Sequence, residues 1–493
     1  MPAGIRIAVS FALALIATAV LGEQPQIRWE PFPLSGAPAG LQAQLGRLTL
    51  PLVRSRPAAG NIELVFVRLH AEGSAGGAPI VYLPGGPGGS GIGVTRSPEA
   101  LASFVALAKS GDVILLDPRG VGMSSPKPVC RAPRPLEPHE KFGNVTELIG
   151  LVTRATRACV EEWQAKGVDV AGFTNRESAA DLEDLRAALG LPKISLFGFS
   201  YGTHLALAAI RAHGASIERA VLVGTEGPNH TRKLPFTLDT QLRKLSLLAA
   251  RDRSIGGEVP DMAALLERVL RKIETKPIAV TINDRATKSE VQVPIGADAL
   301  RRILVADIGD GNDFPVFPAL LLTIDRGDSS ILSWFVEKRY NQISGDVNLM
   351  VFGLECSSGA TALREQEIRG QAAKSLFGNT MNLLFPEVCS ALPPVDLGDD
   401  FRGPLVSEVP VLFISGTLDS NTPPWQAEEL RWGMPRATHL IVENAGHEDT
   451  LPMPEVQQAI VDYFAGKDVA GRRLALPLPD FKNVDEAKKE RRR

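Results

Sequence analysis

The chain carries almost no net charge: 53 lysines and arginines stand against 56 aspartates and glutamates, for a formal charge of −3. Such a balance supplies no positive field for holding nucleic acid or an anionic membrane surface. Cysteine is scarce, four in 493 residues, and neither a C-x-x-C pair nor H-E-x-x-H occurs. The seven histidines are scattered, so no motif calls for a metal or another cofactor. After residue 22 no run is long and apolar enough to span a bilayer, and no internal repeat is visible. The 46 glycines and 37 prolines follow no fixed period, which excludes a collagenous chain. What is abundant is core material, 44% apolar residues. The length exceeds one plain domain, so it calls for about two or three domains, or for one domain with a large insertion.

Arg6 precedes an uncharged run over residues 7–22, with small residues at Ala17-Thr18-Ala19 and Gly22 ahead of Glu23. That order is the one of a secretory signal peptide, and the run is short for a bilayer span and lacks a basic stop-transfer flank. Residues 1–22 are therefore expected to direct export to the periplasm or the exterior, without a stable membrane anchor. In an oxidising compartment Cys130, Cys159, Cys356 and Cys389 allow two disulfides in three connectivities. Sequence neighbours favour Cys130–Cys159 and Cys356–Cys389, with free buried thiols as the alternative.

From residue 62 onward, short β-branched runs alternate with longer helical stretches, the pattern of βαβ units and a mostly parallel sheet. Strands are expected at 62–68, 79–83, 113–117, 194–197, 220–223, 411–415 and 438–442. Most are continuous apolar runs, as strands covered on both faces should be. Between about 229 and 403 the pattern becomes mainly helical. The organisation expected is an α/β sheet with helices on both faces, formed by residues 23–228 and 404–470, with 229–403 as an inserted cap. Residues 471–493 read as a charged, solvated tail.

The sharpest local feature is the strand Ile194-Ser195-Leu196-Phe197 entering Gly198-Phe199-Ser200-Tyr201-Gly202, followed by an alanine-rich helical stretch. G-x-S-x-G between a strand and a helix is a nucleophile elbow, whose tight turn leaves no room for side chains at 198 and 202. Ser200 then stands at a helix N-terminus, where developing negative charge is favoured. Ahead of it, Pro84-Gly85-Gly86-Pro87-Gly88-Gly89-Ser90-Gly91 follows a strand. Such glycine density lets backbone N–H groups reach a substrate oxygen, and the Lys-Ser/Thr of a phosphate-binding loop is missing. A serine nucleophile needs a base and an orienting acid, in the chain order Ser, Asp or Glu, His. Asp419 and His447 each follow a buried-strand run. Glu226 is the rival acid, with Glu443 and Glu448 also near in sequence, and His204 on the elbow helix reads as a packing residue.

The segments 84–91, Asp117-Pro118-Arg119-Gly120-Val121-Gly122-Met123-Ser124, Asp181-Leu182-Glu183-Asp184-Leu185-Arg186, 198–203, 416–423 and Gly446-His447 occur in order across residues 60–465. In this the chain resembles exported α/β-hydrolases of the tripeptidyl aminopeptidase and proline iminopeptidase group. The resemblance implies an α/β-hydrolase fold and a serine peptidase acting on a peptide's N-terminal end, with oxyanion donors at the N–H groups of Gly86 and Tyr201. It also implies cap acids that hold the substrate's α-ammonium, for which Glu226 and Glu355 are the candidates. Two departures stand out. Pro84 replaces a histidine usual in the iminopeptidases, and Ser357 and Ser358 follow Cys356 where relatives place an acid. The same machinery would serve a carboxylesterase acting on short acyl esters, and an intact Ser, Asp, His order argues against a non-catalytic binding protein.

Overall fold

The computed structural model describes residues 26–34, 38 and 40–490; the signal-peptide reading of 1–22 falls outside them. Ten strands form one sheet. They are β1 Arg28–Pro31, β2 Leu41–Pro51, β3 Asn61–Ala71, β4 Ile80–Leu83, β5 Val113–Asp117, β6 Ile194–Phe199, β7 Ile217–Val223, β8 Val411–Gly416, β9 Ala437–Glu443 and β10 Leu474–Ala475. The order is β1-β2-β3-β5-β4-β6-β7-β8-β9-β10. β1 to β3 pair antiparallel and β3 meets β5 antiparallel, while every pairing from β5 to β10 is parallel. This is the α/β-hydrolase architecture expected.

The all-apolar central strands are buried because helices cover both faces. Leu101, Phe104 and Leu107 of the helix Pro98–Leu107 and Val456, Ala459 and Ile460 of Pro454–Phe464 fill one side. Leu182 and Leu185 of Asn175–Ala188 and Leu205 to Ile210 of Tyr201–His213 fill the other. β2 was not anticipated, although its period-two pattern of Leu41, Ala43, Leu45, then Leu48 and Leu50, is a strand signal.

Between β7 and β8 the chain builds a second core. The helices Met262–Thr275, Ala297–Asp307, Phe317–Asp325 and Ser330–Tyr340 pack around Leu266, Leu300, Phe317, Leu320 and Phe335. Mainly helical describes this stretch, but it also holds an antiparallel hairpin, Ile278–Asp284 with Ser289–Ile295. Val280 and Ile282 point into the core while Ala279, Thr281 and Asn283 stay in solvent, so the alternation selects strand over helix.

The reading of 471–493 as a solvated tail is corrected. β10 adds to the sheet edge beside β9, and the helix Val484–Glu490 docks on the second core through Phe481 and Ala487, both buried. Lys488 Nζ pairs with Asp328 at 2.6 Å. The apolar residues between the charges supply the packing that a charge count conceals. Both neighbour disulfides, Cys130–Cys159 and Cys356–Cys389, are present. Cys130 lies on the short strand Val129–Cys130, which pairs with Val347–Asn348 just ahead of the helix that carries Cys356.

Arg119 is the largest fully buried side chain. Its guanidinium donates twice to Asp181, at 2.7 and 2.6 Å, and to the carbonyls of Leu52 and Gly172. Arg54 approaches the same Asp181 at 2.8 Å from the surface side. The two segments noted in the sequence, 117–124 and 181–186, are thus joined by one ionic knot that pins the loop after β5 to the helix Asn175–Ala188. Removing Arg119 leaves the buried Asp181 with Arg54 as its counter-ion on the surface side, so Arg119→Met is expected to destabilise the fold by up to about 3–5 kcal/mol, read from the denaturant midpoint.

Candidate active site

β6 passes directly into Ser200, which adopts φ 52°, ψ −124° and leads the helix Tyr201–His213. A side chain on Gly202 would land on the Leu83 carbonyl, and one on Gly198 would come within 2.8 Å of Gly202 O. The two glycines are therefore a condition of the turn. Gly85 lies close enough that a Cβ there would be 3.1 Å from Ser200 Cβ, which puts the glycine loop against the serine. The backbone N–H groups of Gly86 and Tyr201 donate to no other described residue.

Asp117 at the end of β5 holds that loop. Its Oδ1 accepts from Ser90 Oγ at 2.5 Å and from Ile92 N at 3.1 Å, and its Oδ2 accepts from Met123 N at 2.7 Å. This role was invisible in the sequence beyond the presence of the 117–124 segment.

The loop after β8 carries Asp419 and the loop after β9 carries His447. Ser200 Oγ lies 3.0 Å from His447 Nε2, and His447 Nδ1 lies 2.8 Å from Asp419 Oδ2. A carboxylate on Nδ1 fixes the proton there, so Nε2 is free to accept from Ser200. Asp419 is also tied down by the backbone N–H groups of Asn421 and Thr422 and by Thr422 Oγ1 at 2.6 Å. Thr422, 3.1 Å from His447 Nδ1 as well, is a site residue that sequence reasoning did not single out. Its spacing of three from Asp419 was the available signal.

Burial opposes charge on both partners. At Asp419 it is outweighed by His447 and Thr422, which hold the carboxyl below its usual range. At His447 it is outweighed by Asp419 and, to a smaller degree, Glu448, so the imidazole is held above its ordinary 6.5 although Lys233 works against it.

The rival acid Glu226 and the second ammonium candidate Glu355 lie elsewhere. Glu226 Oε2 accepts from Lys233 Nζ at 2.5 Å, and Glu355 Oε2 from Arg232 Nη1 at 3.1 Å. Burial and the neighbouring Glu226 push Glu355 up to about 7, whereas Lys233 outweighs burial at Glu226 and holds it low. The two candidate ammonium binders thus share one buried cluster whose cations, Lys233 and Arg232, no motif announced. His204 is buried between Gly227 O and Ser358 Oγ, as a packing residue should be. Asp307, Asp310 and Asp313 bring carboxylates together as a metal site does, but Lys338 Nζ already bridges Asp307 and Asp313 at 2.8 and 2.5 Å.

A family model described as alpha/beta hydrolase fold matches residues 78–276, and one described as TAP-like protein matches residues 374–471. Tripeptidyl aminopeptidase of Streptomyces coelicolor is 32% identical over 202 residues, covering 39% of this chain and 34% of that protein. Serine protease Hip1 of Mycobacterium tuberculosis is 31% identical over 218 residues, covering 41% of this chain and 40% of that protein. Putative hydrolase YuaR of Escherichia coli is 30% identical over 165 residues, 33% of this chain and 31% of that protein. The chain therefore spans about a third to two fifths of the length of these curated relatives.

The electrostatics are measurable without any substrate. In proton NMR, His447 is expected to titrate above 6.5 in the native protein and to fall on Asp419→Asn, because the largest group favouring its charged form is then neutral. An unchanged midpoint in a folded Asp419→Asn protein contradicts the assignment of Asp419 as its partner.

Proposed function

We propose that this α/β-hydrolase, with its TAP-like C-terminal region, is an exported serine hydrolase that cleaves peptide bonds near the substrate N-terminus, as a tripeptidyl or prolyl aminopeptidase. The observation that carries the reading is the relay from Asp419 through His447 to a Ser200 standing on a positive-φ turn. Ser200 Oγ attacks the carbonyl carbon as its proton passes to His447 Nε2, and Asp419 stabilises the imidazolium. The N–H groups of Gly86 and Tyr201 receive the oxyanion. The intermediate collapses as His447 gives its proton to the leaving amine. Water, deprotonated by His447, then releases the acyl group from Ser200 by the same steps in reverse. Relatives named tripeptidyl aminopeptidase and serine protease support a peptide substrate. The signal-like residues 1–22 and the two disulfides support export, since disulfides persist in oxidising compartments.

Glu355 and Glu226 hold the substrate's α-ammonium in this reading. Of the two, Glu355 changes charge near neutrality, so it is ionised and attractive to an ammonium only above about pH 7. Arg232 and Lys233 also leave this cluster with little net negative charge. That observation favours the second reading, a carboxylesterase whose neutral ester needs no counter-ion.

Ser200→Ala is expected to lower kcat/KM at least about 10⁴-fold with an unchanged melting temperature. Activity of the native enzyme should fall on the acid side of a midpoint above 6.5, where His447 becomes protonated and stops acting as a base. For a free-amine peptide anilide, KM should fall as pH rises through 7, and Glu355→Gln should raise it and flatten that dependence. N-acetylated anilide or p-nitrophenyl ester turnover that exceeds free-amine turnover and ignores Glu355→Gln favours the esterase.

A further inference from the structure

On the face of the sheet away from the elbow helix, a cavity of about 400 Å³ opens between the helices Pro98–Leu107 and Pro454–Phe464. Its size falls in the range of small-molecule sites, ~300–1,000 Å³. The walls are apolar and aromatic, with Phe104, Phe199, Leu451 and Ile460 among them. Tyr82 lines it with a ring fixed between Phe104 and Phe197, at centroid distances of 4.7 and 5.3 Å. This side chain is 6% exposed, yet its hydroxyl makes no hydrogen bond to another described residue. The hydroxyl is open to the cavity, where a ligand group can pair with it.

The charged groups on the lining are Glu99 and Glu448, both acidic, and no lysine, arginine or histidine accompanies them. Glu448 lies within electrostatic reach of the Tyr82 hydroxyl, which burial and that carboxylate push up to about 12. An anionic amphiphile would meet two like charges and no counter-ion. An ammonium on an apolar body meets carboxylates, an unpaired hydroxyl and aromatic faces, each of which attracts it.

We propose that this cavity is a binding site for a small hydrophobic ammonium, such as an aryl-alkyl amine, separate from the Ser200 site and independent of the reaction assigned to it. The ligand's apolar body lies among Phe104, Phe199, Leu451 and Ile460, and its ammonium faces Tyr82 and Glu448. The site borders the catalytic residues: the Phe199 ring packs on the His447 imidazole at 5.3 Å, and Glu448 follows His447 in sequence.

Calorimetric titration with phenethylammonium and with phenylacetate, a matched pair of opposite charge, tests the site. The ammonium should bind at least about tenfold more tightly, a difference of about 1.4 kcal/mol. Binding should survive covalent blocking of Ser200 by an organophosphate. Ala100→Trp, which fills the cavity from a half-exposed helix position, should abolish it. Glu448→Gln should erase the preference for the ammonium, and this milder change decides the matter if Ala100→Trp does not fold. Equal binding of phenylacetate, unchanged binding in either folded variant, or loss of binding when Ser200 is blocked would overturn the proposal.

Discussion

The site depends on the backbone of Ser200. A non-glycine residue at φ 52° is costly, and the surrounding structure has to hold it there. Here the hold is physical: Ser200 N donates to Val223 O at 2.9 Å, Gly202 brings the elbow against the end of β4 and the loop after it where no Cβ fits, and Gly198 lets the turn close on Gly202. The same closeness sets the glycine loop against the serine, and Asp117 locks that loop from below through Ser90 and Ile92. The turn that exposes the hydroxyl and the loop that offers backbone N–H groups are thus one packing solution.

The segment between β7 and β8 reaches this edge as well. Gly309 O, in the loop after Ala297–Asp307, accepts the backbone N–H of His447 at 2.9 Å. Gln241, buried on the helix Phe236–Arg251, donates both to Ile308 O and to Leu418 O, one residue before Asp419. Lys338 and Arg339 neutralise Asp307 at the base of the same loop. The loops of acid and base are therefore set partly by residues that belong to the second core. Hydrogen bonds of this kind give the relay its distances before any substrate arrives, which is what preorganisation requires.

Much of this was legible in the sequence because the constraints are local. Continuous apolar runs marked most of the strands from β4 to β8, for strands buried on both faces have few polar positions to spare. The elbow was legible because its glycines answer to sterics within a few residues. Asp419 and His447 were legible as residues just past buried strands, and the fold brings both to one edge. What escaped reading is long-range. The counter-ions Lys233 and Arg232 decide what Glu226 and Glu355 can attract, yet their pairing is set by how the chain after β7 folds back. Asp117 acts through hydrogen bonds that no spacing rule singles out. The C-terminal stretch was misread because counting charges ignores where Phe481 and Ala487 point.

The central claim is that Ser200 is a nucleophile activated by His447. Its most direct test is covalent: treat the folded protein with a fluorophosphonate, measure the intact mass, and map the adduct by peptide sequencing. The account predicts one adduct per chain, on Ser200, formed far more slowly in His447→Ala. A protein that stays unlabelled, or that carries its label on another residue at the same rate with and without His447, would contradict it.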